Sequence, residues 1–257
     1  MDIKSVDTLI FDLNGTLYEK GIPIPGAIET LNSFRKKNYN LNFVTNTDGR
    51  ATGSVLSKIR NMGFDIRDGE LLTPVTAAKR FIKRNSNKTF YLLVYDEVKE
   101  DLSQAIINDE NPDYVIIGDF SDKMSYEELN KVFRFIDNGS RIVSLSNTTW
   151  YISEDGKNIN TGAFVKMYES LCNTKALLLG KPSKDFLEFA INRTSSLAEN
   201  TLIIGDDLKT DILGANSIGA FSMLVKTGVY NQVEVDESKI QPDFIIEKIN
   251  DLKNILM

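Results

Sequence analysis

The sequence predicts an α/β fold with a largely parallel sheet, and three features of the chain support this prediction. Apolar runs of strand length alternate with segments of helical periodicity, which is the pattern of right-handed β-α-β crossovers. Several apolar runs end directly on polar or charged residues, as strands do when their carboxyl ends form a ligand site. The length of 257 residues suffices for one large domain or two moderate ones.

The first predicted strand ends on Asp12 and passes into Asn14, Gly15 and Thr16. A carboxylate at this position suits a nucleophile that takes up a phosphoryl group as an aspartyl phosphate, because Gly15 lets backbone amides approach a ligand and Thr16 adds a hydroxyl. A strand that ends in an Asx-type turn accounts for the same residues. This segment alone therefore leaves a catalytic and a structural interpretation open.

The second apolar run, residues 41–44, ends in Thr45 and Asn46. Their hydroxyl and amide groups suit hydrogen bonds to phosphate oxygens, and a turn without a ligand explains them as well. Apolar side chains at helical spacing predict a helix before this run and another after it, on Ala27, Ile28, Leu31 and Phe34 and on Val55, Leu56, Ile59 and Met62.

A third helix is predicted to start at Thr73-Pro74, and the polar residues 84–88 that follow it predict a domain boundary. The segment beyond has strands and a helix of its own, with Ser125 and Glu128 as a capping box. These elements are strands at residues 90–94, 114–117 and 142–145 and a helix on Leu129, Val132, Phe133 and Ile136. Trp150 and Tyr151 are candidates either for facing a site or for a buried core.

Two further apolar runs carry charged residues at their ends. Residues 176–179 lead into Gly180 and Lys181, whose ammonium can neutralise both a phosphate and a nearby carboxylate, although a solvated lysine before a turn has the same pattern. Residues 202–204 lead into Asp206 and Asp207, and Asp211 follows; Asp207 could instead cap the next helix. Together with Asp12, these residues predict one anion site that contains a metal.

A near copy of the last pattern occurs earlier, where residues 115–118 end on Asp119. Asp119 precedes the lysine motif, and the residue five places beyond it is Met124, whereas Asp211 lies five places beyond Asp206. We therefore interpret Asp119 as an ordinary acid in a strand turn.

The chain carries four motifs in order, which are Asp12, then Thr45, then Lys181, and finally Asp206 together with Asp211. In these motifs it resembles the haloacid dehalogenase superfamily of phosphatases and phosphotransferases over essentially its whole length. Leu17-Tyr18, residues 23–27 and the Thr45-Asn46 pair resemble features of subclass IIA. Within that subclass the chain is similar to the phospholysine phosphohistidine inorganic pyrophosphate phosphatases and to the haloacid dehalogenase-like hydrolase domain-containing proteins.

The resemblance implies a Rossmann-like parallel-sheet core formed by residues 1–84 and 176–257, with residues 85–175 inserted as an α/β cap domain. It implies hydrolysis of small phosphorylated compounds, with Asp12 as the nucleophile. Lys181 is then both catalytic and substrate-binding, together with Thr45 and Asn46. Mg²⁺ prefers oxygen ligands, which we expect from Asp12, Asp206, Asp211 and the backbone carbonyl of Asn14.

Asn14 departs from the commonest pattern of the family, which has a second aspartate there as general acid and base. An asparagine side chain can perform neither role. Phosphoramidates, pyrophosphate and acyl or aryl phosphates, whose leaving groups need little protonation, are therefore expected to be better substrates than alkyl phosphates. A phosphotransferase and a catalytically weakened phosphate-binding or regulatory protein are the alternative functions.

The composition limits which binding partners and which cellular compartment are expected. The net charge of -6 and the lack of a basic run argue against nucleic acid and anionic membranes as partners and leave a homo-oligomer open. The sequence contains no histidine, which excludes imidazole chemistry, and its one cysteine, Cys172, excludes an internal disulfide. The chain opens without a signal peptide and has no apolar stretch of membrane-spanning length, so a cytoplasmic protein is expected.

Overall fold

The computed structural model describes residues 3–153, 156–194 and 196–257. The chain divides into two compact units. The first unit contains residues up to Thr45, Leu56–Leu72 and Lys181–Met257, and the second contains Asn46–Val55 and Thr73–Gly180. None of the helices in the described ranges is long and apolar enough to cross a membrane.

The strands within the described residues are β1 (Thr8–Asp12), β2 (Tyr18–Glu19), β3 (Ile22–Pro23), β4 (Asn40–Val44), β5 (Leu71–Leu72), β6 (Thr89–Leu93), β7 (Ile106–Ile107), β8 (Tyr114–Ile117), β9 (Arg141–Ser144), β10 (Trp150–Ser153), β11 (Gly156–Ile159), β12 (Leu177–Leu178), β13 (Thr201–Gly205), β14 (Phe221–Val225) and β15 (Phe244–Ile246).

The α-helices are α1 (Ala27–Lys36), α2 (Thr52–Asn61), α3 (Pro74–Arg84), α4 (Asp96–Asp101), α5 (Tyr126–Asp137), α6 (Thr161–Leu171), α7 (Lys184–Asn192), α8 (Leu213–Ile218), α9 (Gln232–Glu237) and α10 (Leu252–Leu256). A π-helical turn, Leu208–Ile212, precedes α8.

The first unit is built on a six-stranded parallel sheet in the order β15-β14-β13-β1-β4-β5. Every residue of β1, β13 and β14 is buried, as expected for central parallel strands covered on both faces. Asp12 pairs with Val44, so the residues that follow β1 and β4 lie at the same edge of the sheet. With the end of β13 beside that of β1, this edge collects three of the four polar strand ends that the sequence singled out, which are those at Asp12, Thr45 and Asp206.

The second unit has a five-stranded parallel sheet in the order β12-β9-β8-β6-β7. One face packs against apolar side chains of α3 and α4, such as Val75, Ile82 and Val98. The other face packs against α5 and α6, with Val132 and Tyr168. The predicted α/β fold with a parallel-sheet core and a second α/β part is therefore confirmed.

Two segments lie in a different unit from the one that the sequence suggested. Helix α3 belongs to the second unit because its apolar face, which includes Val75 and Ala78, packs against β6 residues such as Phe90. The run at residues 176–179 forms β12, which pairs with β9 in the second sheet and not with a strand of the first. The chain therefore returns to the first unit at Lys181.

The predicted helix caps are present, one of them in a simpler form. The Thr73 hydroxyl accepts from the amide of Thr76 at the start of α3. Ser125 likewise accepts from the Glu128 amide at the start of α5, but the Glu128 carboxylate accepts a hydrogen bond from the Tyr91 hydroxyl. The predicted capping box is thus half formed, because packing against β6 offers Glu128 another partner.

Trp150 and Tyr151 lie on β10, which forms a hairpin with β11. Trp150 and Tyr151 are 43% and 47% exposed, which excludes the alternative of a buried core; their facing a site stays a prediction. The Lys157 ammonium lies 3.9 Å from the centre of the Trp150 ring, a cation-π contact available at a partly exposed site.

Candidate active site

A buried lysine joins two carboxylates in the first unit. The Lys181 ammonium donates to Asp12 Oδ1 and, at 2.6 Å, to Asp211 Oδ1, and all three side chains are almost completely buried. Burial opposes the charged form of Lys181, but the attraction of Asp12 and Asp211 outweighs it and raises the pKa of the ammonium above its usual value. The lysine therefore carries a full positive charge next to Asp12.

Asp206 follows β13 and is held by two other donors. Its Oδ1 accepts from the Thr16 hydroxyl at 3.2 Å, and its Oδ2 accepts from the backbone amide of Val229 at 2.8 Å. Burial, with added repulsion from Asp12 and Asp211, raises the pKa of Asp206 well above its usual value. These two hydrogen bonds therefore fix the carboxylate in position, but neither donor carries a full positive charge that would offset its negative charge.

Two glycines allow the chain to pass close to Asp206. Gly15 and Gly228 both have positive φ, of 94° and 58°, and a Cβ atom built on either would overlap the Asp206 carboxylate. The Thr227 hydroxyl donates to the Gly15 carbonyl, which ties these two loops together. A side chain at either glycine would displace Asp206 from its present position.

The acidic cluster fits a hard divalent cation. Asp12, Asp206 and Asp211 each place one carboxylate oxygen within 4.8 Å of the others, and all three are buried. If all three are ionised, Lys181 leaves two negative charges uncompensated, which is costly in a buried site. An all-oxygen set of carboxylates with this excess charge is typical of a Mg²⁺ site.

Asp207 caps the π-helical turn that carries Asp211. Its Oδ1 accepts from the amides of Lys209 and Thr210, at 2.7 and 3.3 Å, and its own amide donates to Asp211 Oδ2 at 3.3 Å. Asp207 therefore orients Asp211 through the backbone. This is the capping role that the sequence offered as an alternative.

The structure places the other candidate residues at or near the strand ends. Thr45 follows β4 in the first unit and is buried, and Asn14 is exposed and bridges to Tyr18. Asn46 belongs to the second unit, where a Cβ on Gly180 would lie 2.8 Å from its Oδ1. The binding roles of Thr45, Asn46 and Asn14 stay predictions.

Asp119 belongs to the second unit and is not one of the three acids of the cluster. Its Oδ1 accepts from the Ser121 amide at 3.0 Å, which is the Asx-turn geometry expected of an acid in a strand turn.

The loop at residues 227–229, which supplies the amide that holds Asp206, was not predicted from the sequence. The sequence does contain a pattern that marks this loop. Strand β14 is an apolar run that ends near Thr227 and Gly228, as β1 ends near Gly15 and Thr16. A backbone amide, however, has no residue type by which it could be recognised.

The metal-free protein is expected to become less stable as pH rises. Burial raises the pKa of Asp211 to about 7 and that of Asp206 well above its usual value. Between about pH 4 and pH 7 the folded protein therefore binds more protons than the unfolded chain, and the free energy of unfolding falls as pH increases. In chelator, we expect a melting temperature lower at about pH 7.5 than at about pH 5, by about 2–4 °C for each kcal/mol lost.

Mg²⁺ should reverse this trend, and its stabilising effect should be larger at the higher pH, where the carboxylates are ionised. Burial also raises the pKa of Asp48, to about 6, so the Asp211→Asn variant is needed to isolate the contribution of the cluster. That variant should show a flatter pH dependence. An equally steep fall in Asp211→Asn would contradict the assignment of the titration to this site.

Replacing Lys181 by methionine should lower phosphate release by about 10²–10³-fold, the usual cost of losing one charge-stabilising group. Methionine is close to lysine in volume, so the change removes the charge without opening a large cavity. Because Lys181 is buried between Asp12 and Asp211, the variant should also be destabilised at neutral pH. It should recover at low pH, where Asp211, whose pKa burial raises to about 7, is protonated. Lys184→Met, at an exposed lysine of α7, is the matched control and should change neither property.

The chain is similar in sequence to known proteins over nearly its whole length. The sequence model of the haloacid dehalogenase-like hydrolases matches residues 9–108, and a second model, described as HAD-hydrolase-like, matches residues 178–252. Haloacid dehalogenase-like hydrolase domain-containing protein 2 of Rattus norvegicus is 35% identical over 93% of this chain and 90% of its own length. The phospholysine phosphohistidine inorganic pyrophosphate phosphatase of Xenopus laevis is 29% identical over 99% and 96%.

Solved structures show the same similarity. The 4-nitrophenylphosphatase of Thermotoga maritima superposes with a TM-score of 0.92 at 25% identity and covers 99% of each chain. NagD of E. coli K-12 superposes with a TM-score of 0.85 at 28% identity and covers 95% of this chain and 97% of its own.

Proposed function

Because the chain belongs to the haloacid dehalogenase-like hydrolases and is a phosphatase of that family, we propose that it hydrolyses small phosphorylated compounds with Mg²⁺ through an aspartyl phosphate on Asp12. The observation that carries this proposal is the buried Lys181 between Asp12 and Asp211. A nucleophilic carboxylate next to a permanent cation and two further acids is the arrangement that phosphoryl transfer needs.

In the proposed first step, a carboxylate oxygen of Asp12 attacks the phosphorus, and the bond from phosphorus to the leaving group breaks on the opposite side. The leaving group departs with the electron pair of that bond. In the second step, water attacks the phosphorus of the acyl phosphate, which releases inorganic phosphate and restores the Asp12 carboxylate.

Positive charge must offset the repulsion between Asp12 and an anionic substrate. Lys181 supplies one charge from within the site. Mg²⁺ held by Asp12, Asp206, Asp211 and the carbonyl of Asn14 would supply the rest by neutralising the carboxylates and the phosphate. Thr45 and Asn46 are proposed to bind phosphate oxygens. The inserted segment, residues 85–175, is proposed as the cap domain that selects the substrate.

The choice of substrate is proposed to follow from Asn14, which cannot protonate a leaving group. This favours phosphoramidates, pyrophosphate and aryl phosphates, whose leaving groups need little protonation. The names of two similar proteins support the same choice, since one is called a phospholysine phosphohistidine inorganic pyrophosphate phosphatase and another a 4-nitrophenylphosphatase. We further propose that the enzyme is cytoplasmic and acts on a small substrate as a monomer or homo-oligomer. Nucleic acids and membranes are not expected as partners.

The proposal is tested by a screen of the purified protein with Mg²⁺ against a phosphoramidate, pyrophosphate, 4-nitrophenyl phosphate and a sugar phosphate. We expect phosphate release from the first three and little from the sugar phosphate. Added alcohols or amines should not divert the phosphoryl group; if they capture most of it, the protein is a phosphotransferase. No turnover of any substrate, with Mg²⁺ still raising the melting temperature, would favour the weakened phosphate-binding protein instead.

A further inference from the structure

A cavity of about 770 Å³ opens in the first unit, at the edge of the sheet where the strands begin. Asn40 starts β4 beside Thr8 at the start of β1, whereas Val44 lies beside Asp12 at the other end. The four residue steps from Asn40 to Val44 span about 13 Å. The cavity is therefore separate from Lys181 and the three acids Asp12, Asp206 and Asp211, which together are called the lysine cluster below.

The acids that line this cavity are each paired with an arginine. Glu70 accepts from the Arg35 guanidinium at 2.6 and 2.8 Å, and Asp68 accepts from Arg60 at 2.8 Å. Arg35 forms a further ion pair with Asp65 at 3.4 Å. These ion pairs hold the walls together, but three acids against two arginines leave one negative charge in this group, because Arg35 is shared between Glu70 and Asp65.

Two other arginines of the cavity, Arg67 and Arg193, have no acidic partner among the residues that the structure describes. Neither Arg67 nor Arg193 forms an ion pair in the part of the chain that the structure describes. The Arg193 guanidinium donates to the carbonyls of Gly69 and, at 3.2 Å, of Leu71, which fix its position without neutralising it. Burial lowers the pKa of Arg193, and no carboxylate offsets this effect; the group nevertheless stays protonated.

Two asparagines of β4, Asn40 and Asn42, line the cavity at a place where apolar strand residues are expected. Asn40 and Asn42 lie on the same face of β4, although asparagine is unfavourable in strands. The Asn42 side chain is almost completely buried and donates to the Ala190 carbonyl at 3.1 Å, and Asn40 donates to the Thr8 hydroxyl at 3.3 Å. These two amides line the cavity together with Arg67 and Arg193, and such a polar lining suits a hydrophilic anion.

We propose that this cavity binds the phosphate group of a small molecule at a second site, distinct from the catalytic one. Arg67 and Arg193 make the charge of the cavity wall net positive, which suits the charge of about −1.5 to −2 on a phosphate monoester, and arginine donors suit phosphate oxygens. The volume lies within the range of about 300–1,000 Å³ that is typical of small-molecule sites. The overall charge of -6 does not attract anions, so retention depends on Arg67 and Arg193.

The test is equilibrium dialysis of radiolabelled inorganic phosphate against the full-length protein in chelator. Without Mg²⁺ the lysine cluster holds three carboxylates against one ammonium, so phosphate should not bind there. We expect one phosphate for each chain, and we expect Arg67→Gln and Arg193→Gln each to weaken binding at least about tenfold, as for loss of a charged hydrogen bond. Arg50→Gln, at an exposed arginine of the second unit, is the control and should bind as the wild type does.

Arg67 is exposed, so Arg67→Gln should fold even if Arg193→Gln does not, and circular dichroism checks both. Unchanged binding in a folded Arg67→Gln variant would overturn the proposal. Binding that is lost in Lys181→Met but kept in the arginine variants would also overturn it, since the phosphate would then occupy the lysine cluster. Displacement of phosphate by an equal concentration of succinate would overturn the assignment to phosphate. Phosphatase activity is measured separately with Mg²⁺, so failure of the proposed reaction and failure of this site give different results.

Discussion

Replacing Asp12 by asparagine is expected to lower phosphate release by about ten-thousandfold or more, as loss of a catalytic nucleophile does. The amide cannot form an acyl phosphate, and it is a weaker ligand for a hard cation. The fold should survive, because the change also removes the repulsion by which Asp12 raises the pKa of Asp206. The measurement is the release of phosphate from 4-nitrophenyl phosphate with Mg²⁺.

The covalent intermediate gives a second readout for the same variant. Wild-type protein quenched in acid during turnover of a radiolabelled substrate should carry label that hydroxylamine removes, as expected of an acyl phosphate, and Asp12→Asn should carry none. Asp119→Asn is a matched control, because Asp119 ends a strand pattern much like that of Asp206 but lies outside the acidic cluster. Normal labelling in Asp12→Asn would show that another residue is the nucleophile.

The sequence predicted the strand ends of the first sheet because parallel strands bring their carboxyl ends to one edge. Asp12 follows this rule directly, and Asp206 does so because β13 is the neighbour of β1. The Lys181 position could be recognised from its motif, but not its burial. Lys181 is enclosed because Asp12 and Asp211 both bind its ammonium, and such a pairing depends on residues far apart in the chain.

Other parts of the structure had no local signal. The apolar run at residues 176–179 is the same in composition whichever sheet it joins, and only its pairing with β9 places it in the second. Trp150 and Tyr151 are apolar by type, yet they lie on a two-stranded hairpin that leaves them about half exposed. The amide of Val229 is equally hidden from sequence reasoning, because every residue except proline offers one.

Replacing Asn14 by aspartate is expected to change the selectivity of the enzyme for its leaving group. A positioned acid and base is worth about 10²–10⁴-fold, and an alkyl phosphate needs it more than a substrate whose leaving group departs without protonation. Asn14→Asp should therefore raise turnover of a sugar phosphate by about 10²-fold or more, with a much smaller change for 4-nitrophenyl phosphate. Asn14 is exposed, and its backbone carbonyl is unaffected, so stabilisation by Mg²⁺ should persist.

The wild-type rates decide whether this account of Asn14 is correct. With asparagine at this position, single-turnover rates should fall steeply as the leaving group becomes more basic, and Asn14→Asp should flatten the dependence. If the wild type cleaves alkyl and aryl phosphates at equal rates in the chemical step, another residue donates the proton. Tyr18 is then the first to test by Tyr18→Phe, since burial and the charge of Asp12 raise its pKa to about 12 and keep its hydroxyl protonated at neutral pH. A loss of alkyl phosphate turnover in Tyr18→Phe, with aryl phosphate turnover unchanged, would transfer the acid role from position 14 to the tyrosine.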